Sequence, residues 1–576
     1  MQSNGCKWLT IYNLCKSRKA VFLDNINKKR IIDISGVFIL LILFFLLFTR
    51  LKYGFDPTDE SYYYALAKRF FQGDRPFIDE WYPSQIYAIL LYPFYALYTL
   101  FVSSGDGIIL AGRYTYLGMQ IIVSLFSLFV FRDNRFRAII ITILYMMCSR
   151  QNIPGLSYYN LYLTCCFVIS IIIYDYFKQR RSSYFAFGII GVCCSVAVLC
   201  MPYFAILTIV MAIVLIAKKK KKELLTLISS IALCALAYVT FLLSRAALVD
   251  YINSIGYVLS NPDYADLSIV KKIIGTVLSI GKICVVCVPG FVYLIISKKE
   301  KRNYICFVIS LLVGGIAFGF TTPGAIFIQT AFLALPYMIR IALSGSLEFE
   351  KKIGIFLYFI GYVFAFLFWL GSDTEASCLP LGLLISVIGF VIALYGKNYE
   401  IYTAICILLC VSAISARLVG PCYRDARIWS LGSRIEEGPA KGIYTEESDK
   451  EDYNAALELI RQVNIENSIE KGTEKKILIS KFLPWAYLAT DCRNASMTPW
   501  RSAIADARLQ MYYDANPQQF PDIIVVFSEN IGETNGLSGG EKMNASNLKE
   551  GKLWNKMEAS EEIITFKAGT VYILRN

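Results

Sequence analysis

The 576-residue chain contains no histidine, and only 18% of its residues are charged while 56% are hydrophobic. Without imidazole there is no Ser-His-Asp or Cys-His nucleophile arrangement, no zinc site built on histidine and no imidazole general base. Proton chemistry then falls to carboxylates, with tyrosine, lysine or arginine in support. So little charge is not the composition of a soluble enzyme. Matched cysteine pairs are lacking as well. Most of the 17 cysteines lie inside apolar runs (Cys165, Cys166, Cys193, Cys194, Cys284, Cys287, Cys406, Cys410), where a thiol behaves as a small hydrophobe. Cys284 and Cys287 have the spacing of a metal pair, but no second pair accompanies them and the run around them is apolar, which argues against a metal site.

What is present is a series of apolar runs of about 20 residues, long enough to cross a hydrocarbon layer of roughly 30 Å. The net charge of +13 is not spread as a nucleic-acid footprint. It gathers in short clusters beside the apolar runs: Arg132/Arg135/Arg137, Lys178/Arg180/Arg181, Lys218 to Lys222, Lys298/Lys299/Lys301/Arg302 and Lys351/Lys352. Such clusters mark the cytoplasmic side of a membrane protein, so no nucleic-acid partner is expected. Residues 1–32, with Lys7, Lys16, Arg18, Lys19, Lys28, Lys29 and Arg30, read as a cytoplasmic basic tail before an uncleaved anchor at 33–50, with no signal peptide evident. If 84–103 also spanned, Arg132 to Arg137 would be forced outside. The charge pattern therefore makes 84–103 a juxtamembrane surface helix bent at Pro93, and 51–108 one external loop. Spans then follow at 109–131, 138–153, 157–177, 184–199, 202–217, 224–243, 274–296, 304–320, 323–343, 353–371, 379–395 and 400–418. With the anchor these make about thirteen, an odd count that puts the C-terminal part outside.

Beyond residue 419 apolar runs shorten and charge rises. KILISKF (476–482), DIIVVFS (522–528) and TVYILR (570–575) read as strands, and 451–463 as an amphipathic helix. The expected fold is thus a polytopic α-helical membrane protein. Its membrane module covers 33–418, and a soluble extracytoplasmic α/β domain covers 419–576. Cys422 and Cys492 fall in that domain, where they can pair if the compartment is oxidising.

The external loop holds the candidate chemistry. Residues 53–83 read YGFDPTDESYYYALAKRFFQGDRPFIDEWYP. Asp56 before Pro57 predicts an N-cap and a first helical proline, Gly73 a stop, and 57–72 a helix on the membrane surface with Asp59 and Glu60 in its first turn. Two acids there complement the helix dipole, and they also offer a carboxylate pair beside Tyr62, Tyr63, Tyr64, Phe70 and Phe71. A second pair, Asp79 and Glu80, precedes Trp81, Tyr82 and Pro83. Carboxylates in this loop are the groups able to act as base or to bind a hard divalent cation such as Mg or Mn.

An N-terminal anchor, an external loop with Asp-Glu and a following tyrosine, a Gly-Asp helix end, a proline-containing second surface helix and an Ala-Gly-Arg opening the next span together resemble the type C (GT-C) glycosyltransferases. These include the lipid A aminoarabinose transferases and the protein O-mannosyltransferases, which use polyprenyl-phosphate-linked sugars. The motif match covers about 50–115, and beyond it the likeness is one of architecture. The resemblance implies that Asp59 serves catalysis or metal binding with Glu60 beside it, and that Arg113 supports the loop. Where the family often has a second acid this chain has Asn160, in SYYNLY, and the basic residue often found before the proline of the second surface helix is absent, since Tyr82 and Ser84 flank Pro83. Contact with the donor phosphate then falls to Arg150, Lys271 or Lys272. The segment 244–273, with Asp250, Asp263, Tyr264 and Asp266, is a candidate acceptor groove.

The implied reaction moves a hexosyl or pentosyl group from a polyprenyl phosphate to a glycan, lipid or protein acceptor of a bacterial envelope, with inversion. Asp59 would be the base, Glu60 or Asp79 would orient it or hold the cation, and a cation such as Arg150 would steady the phosphate. Two other classes compete: a transporter or flippase for a lipid-linked sugar, and a non-catalytic partner in envelope polymer assembly. Transporters usually carry ionisable groups or broken helices near mid-membrane, often with repeated halves, and neither feature stands out here.

Overall fold

The computed structural model describes residues 34–102, 104–178, 182–260, 269–297, 300–344, 348–372, 374–395, 399–466, 474–480, 483–500, 507–528, 552–560 and 562–574. The basic tail 1–32, the basic residues Arg180, Arg181, Lys298 and Lys299, and Asp263, Tyr264 and Asp266 lie outside the described residues.

The chain is mostly helical. Helices α1 (Ile34–Arg50), α2 (Asp59–Phe71) and α3 (Gln85–Phe101, with a tight turn at 89–91) build the first hundred residues. Then come α4 (Ile108–Val130), α5 (Arg135–Met147), α6 (Tyr158–Phe177), α7 (Ser183–Cys200), α8 (Phe204–Ala217), α9 (Lys221–Leu243) and α10 (Leu248–Leu259). The remaining apolar helices are α11 (Ile269–Ile296), α12 (Arg302–Gly319), α13 (Ala325–Ala342), α14 (Phe349–Gly371), α15 (Pro380–Leu394) and α16 (Tyr399–Leu418). Among the described residues nine helices are long and apolar enough to cross a membrane, and α1, α3, α8 and α15 are shorter apolar helices. Together with a small C-terminal sheet, this is the architecture of a polytopic membrane protein. Large apolar side chains on α9, among them Leu225, Leu233 and Leu236, face outward, as a lipid-facing helix requires.

A helix lies in each expected span, but four of the thirteen, α1, α5, α8 and α15, fall outside the nine, and α5 ends at Met147, short of the expected 153. At one end of the bundle Arg137 pairs with Glu350 at 2.9 Å, Lys178 pairs with Glu350 at 2.6 Å and Asp133 at 3.3 Å, and Tyr176 bonds Glu223 at 2.7 Å. The basic clusters of the α4–α5 turn, the end of α6 and the starts of α9 and α14 thus meet at the same end.

The tightest packing is between α14 and α15. Gly354 and Gly361 of α14 face Gly389 and Gly382 of α15, and a Cβ added at Gly361 would lie 2.3 Å from the backbone nitrogen of Ser386. Glycines at this seven-residue spacing let two backbones touch, the usual basis of helix association where water supplies no hydrophobic drive. Every residue of α15 is buried as a result.

After α16 a soluble-type unit begins with β1 (Ser433–Arg434), β2 (Tyr444–Thr445), α17 (Glu447–Glu466), β3 (Lys476–Ile479), α18 (Pro484–Ala489) and β4 (Arg493–Asn494). It continues with α19 (Ala507–Ala515), β5 (Ile523–Phe527), α20 (Lys552–Glu558), β6 (Glu562–Phe566) and β7 (Gly569–Ile573). The main sheet has the order β4-β3-β5-β7-β6; β3 lies parallel to β4 and β5, while β7 is antiparallel to β5 and β6. The apolar run of β5 makes it the central strand. The expected helix 451–463 is longer at both ends, and β4 and β6 were not foreseen, because two residues and a half-polar strand carry no period. Cys422 and Cys492 are both buried free thiols.

Replacing Gly361 by Val is expected to force α14 and α15 apart and lower the thermal unfolding midpoint of the detergent-solubilised protein by several degrees. An unchanged midpoint would show that this contact is not needed.

Candidate functional site

Helix α2 occupies a different place from the one its sequence suggests. It is not open to the lipid boundary: twelve of its thirteen residues, Asp59 through Phe70, are buried. On one side α3 lies along it, with Tyr63 meeting Tyr87 at 5.3 Å and Phe71 meeting Tyr95 at 5.5 Å. On the other side the C-terminal unit covers it, and Lys68 gives its ammonium to the carbonyls of Tyr487, at 2.9 Å, and Thr490. The helix starts two residues later than expected, with Thr58 at the N-cap. Asp56 still does the capping work, its carboxylate accepting from the backbone of Thr58 at 3.0 Å and of Glu60 at 2.8 Å. Burial and the neighbouring charge of Asp59 raise Asp56 to about 6, against the pull of Arg424 and those two amides. Gly73, with φ of +103°, ends the segment in the left-handed conformation that the sequence assigned to it.

The Asp59–Glu60 pair divides at once. Glu60 is held by Arg113 of α4, Nε to Oε1 at 2.8 Å and Nη2 to Oε2 at 2.6 Å, with both residues 1% exposed. Arg113 also donates to the carbonyls of Leu51 and Gly54, each at 2.7 Å. Oε1 of Glu60 lies against Gly155, where a Cβ would come within 2.5 Å of it. Asn160 fixes the same loop from the other side, donating from Nδ2 to Ile153 at 3.1 Å and Gly155 at 2.7 Å.

Asp59 faces a different set of groups. Its Oδ2 accepts from the phenol of Tyr423 and lies 3.4 Å from Nη2 of Arg424, whose Nη1 bonds Thr58. Both partners sit just beyond α16, in a turn closed by Cys422 N to Ala426 O at 3.1 Å, with Arg424 at φ +52°. Burial, and then Asp59, raise the Tyr423 phenol well above its ordinary value, so it stays neutral. Gln151 and Asn152 are also left-handed, at +47° and +63°, and Asn152 donates to Pro421 at 2.9 Å. Two strained turns are thereby tied together, one carrying Arg150 and the other carrying Tyr423 and Arg424; strain of this kind clusters where side chains must be aimed.

These turns line a cavity of about 740 Å³, which Arg150, Tyr423 and Arg424 share with Ser279, Glu375 and Ser377. Arg150 is 5% exposed, lies over the Tyr159 ring at 4.0 Å and reaches Ser377 at 3.4 Å. Asp59 stands behind Tyr423 and Arg424, with its side chain 13% exposed. A divalent cation here would meet an Asp59 Oδ2 that already faces two donors and a neighbouring Asp56 already committed to the backbone of Thr58 and Glu60. Among the described residues no three His, Cys, Asp or Glu side chains converge as a metal site.

The second acidic pair belongs to the far end of α2, about 15 Å along the helix at 1.5 Å per residue. Asp79 is held by Arg75, with both carboxylate oxygens at 2.9 Å, and those bonds outweigh burial and keep it below its ordinary value. Glu80 accepts from Arg69 at 2.8 Å. Arg69 also bonds Asp74 at 2.5 Å and Tyr512 of α19 at 3.0 Å, and Arg493 of β4 reaches Asp74 at 3.1 Å. The Asp79/Glu80 region therefore ties the loop to the C-terminal unit. Tyr82 packs edge-on against Tyr62 at 6.0 Å and near Trp500 at 6.3 Å. Lys272 is spent on the end of α14, donating to the carbonyls of Trp369 and Ser372, and Lys271 is exposed on the first turn of α11.

The structure brings Asp59 and Arg150 to one place, sets Lys272 on the face of α11 that also carries Ser279 of the cavity lining, and leaves Asp79 and Glu80 at the far end of α2. Tyr423 and Arg424 were missed by sequence reasoning. The signal open to it was Gly420-Pro421, a break that ends α16 and sets the next residues at the membrane edge.

No protein-family model matches the chain, and no curated protein matches it in sequence. Among solved structures it is similar to the archaeal oligosaccharyltransferase AglB from Archaeoglobus fulgidus in complex with an inhibitory peptide and a dolichol-phosphate, at 13% identity and a TM-score of 0.34, covering 86% of this chain and 69% of that one. A superposition at that level carries no statement about activity.

Breaking the buried Glu60–Arg113 pair with Glu60→Gln should cost about 3–5 kcal/mol of stability, because it leaves an unpaired guanidinium, and Glu60→Gln/Arg113→Met should recover much of it. Chemical unfolding of the three proteins decides; a single variant as stable as the parent would refute the assignment.

Burial outweighs Arg69 and raises Glu80 from 4.5 to about 7. A carboxyl whose folded value is raised stabilises below its unfolded value and loses that contribution as pH rises through the folded one. Stability should therefore fall between about pH 4.5 and about pH 7, and Glu80→Gln should flatten that slope in unfolding midpoints measured across the range.

Proposed function

We propose that the chain is a glycosyltransferase of the GT-C kind, moving a sugar from a polyprenyl-phosphate donor to a glycan, lipid or protein acceptor at the outer face of a bacterial plasma membrane. The observation that carries this reading is a buried carboxylate, Asp59, paired with a neutral phenol and the Arg424 guanidinium directly behind a cavity that those two groups share with Arg150, beside the apolar helices. Guanidiniums suit a phosphate, since their planar fork donates parallel hydrogen bonds.

In the proposed reaction Arg150 and Arg424 hold the donor phosphate, and an acceptor hydroxyl enters on the opposite side of the anomeric carbon. The hydroxyl oxygen bonds to that carbon as the carbon–oxygen bond to phosphate breaks, and the electron pair leaves with the polyprenyl phosphate. The acceptor proton passes to the Tyr423 oxygen while the phenol gives its own proton to Asp59. Direct displacement inverts the anomeric centre. Phosphate is a stable leaving anion, so the protein's task is placement, proton removal and charge compensation. Glu60, Asp79 and Glu80 hold the loop in position. The scheme uses no divalent ion, because Oδ2 of Asp59 already meets a cation and Asn160 replaces the family's second acid.

Asp59→Asn is expected to lower transfer from a labelled lipid donor at least a hundredfold, and Tyr423→Phe at least tenfold with little change in KM. Full activity in Asp59→Asn would remove the base assignment. Transport of donor across vesicles without any transfer would favour a flippase.

A further inference from the structure

The cavity also holds a carboxylate that takes no part in the proton transfer. Glu375 stands just past the end of α14, two residues before Ser377, to which Arg150 donates. Its seat is built by α11. Residues 272, 275 and 279 fall on one face of that helix, at the i, i+3, i+7 spacing. Lys272 binds the carbonyls of Trp369 and Ser372 and so fixes the connecting segment. Gly275 leaves the space in which the carboxylate lies, since a Cβ there would come within 2.0 Å of Oε1. Ser279 donates to Oε2 at 2.8 Å.

Glu375 thus shares a cavity with Arg150 and Arg424, yet it is anchored to a serine on the helix instead of being paired with either. A carboxylate accepts hydrogen bonds and donates none when ionised, so it repels a phosphate and attracts hydroxyls. The cavity's two cations attract the phosphate instead.

We propose that Glu375, seated by Gly275 and Ser279, is the subsite for the hydroxyl groups of the donor sugar, and that its charge together with the two arginines sets which end of the donor lies where. This rests on the phosphate reading of Arg150 and Arg424 and adds a specificity residue to it. A volume of about 740 Å³ lies in the range of small-molecule sites.

The test uses the full chain in lipid nanodiscs and compares binding of a bare polyprenyl phosphate with the same lipid carrying each of a panel of hexoses and pentoses. The parent protein should bind at least one sugar-bearing lipid more tightly than the bare one. Glu375→Gln should reduce that preference about tenfold or more, the scale of a hydrogen bond to a charged group. Gly275→Ala should do the same, since the atoms nearest an added methyl are the flexible end of the Glu375 side chain, which it displaces. Arg150→Ala should weaken bare and sugar-bearing lipids alike. If both Glu375→Gln and Gly275→Ala keep the sugar preference, or the parent shows none, the subsite is overturned while the phosphate reading stands. If Arg150→Ala binds bare lipid as well as the parent does, the phosphate reading fails, whatever Glu375 does.

Discussion

The site depends on one buried ion pair. Glu60 and Arg113 neutralise each other inside the protein, and the guanidinium has enough donors left to bind the carbonyls of Leu51 and Gly54. One contact therefore joins the exit from α1, the first turn of α2 and the start of α4. Through Gly155 it also sets the loop that carries Arg150. Taking two charges out of water is expensive, and a buried pair is often no more stabilising than apolar residues of the same shape. What it provides is direction, because an apolar contact could slide and a two-pronged hydrogen-bonded one cannot. With Glu60 committed, its neighbour Asp59 points elsewhere, toward Tyr423.

The same logic acts at the other end of α2 with the roles reversed. There a single cation, Arg69, is surrounded by Asp74, Glu80 and a tyrosine from α19, and Arg493 adds a second cation on Asp74. The helix is pinned at its first turn by the membrane-type helices and at its last turn by the C-terminal unit. Two fastenings fix both its position and its rotation, and with them the direction in which Asp59 points. The far wall of the cavity has another kind of rigidity, backbone contact between α14 and α15 through glycines, with Glu375 and Ser377 in the link between those helices.

How much of this could be read from residues alone varied with the physics. Apolar runs of helical length located the helices closely, because solvation by lipid is a property of each segment by itself. Gly73 and the acids of the first turn of α2 were legible for the same reason, being local rules of helix ends. The fate of the charges was not legible. Asp59 and Glu60 are neighbours with equivalent composition around them, and what separates their roles is Arg113, 53 residues from Glu60, and Tyr423, 364 residues from Asp59. Lys272 looked like a phosphate ligand because it opens a helix, yet it closes another one. The surface helix expected at 57–72 became a buried one because a unit about 400 residues later covers it, which no periodicity within α2 can announce.

The left-handed turn at Arg424 and the cations of α2 share a feature that bears on how the protein comes into being. Lys68 meets carbonyls 419 and 422 residues away, and Arg69 meets Tyr512 443 residues away. These are partners that a growing chain does not yet have when the loop is made. Non-local contacts are slow to close, since the entropy of the intervening chain must be lost before they form. The loop thus waits, without these partners, while the intervening helices are made, and it acquires its folded shape only when the last quarter of the chain folds over it. A nascent or truncated chain therefore lacks the partners that bury α2. Asp59 meets Tyr423 and Arg424 only once the chain beyond α16 has been made.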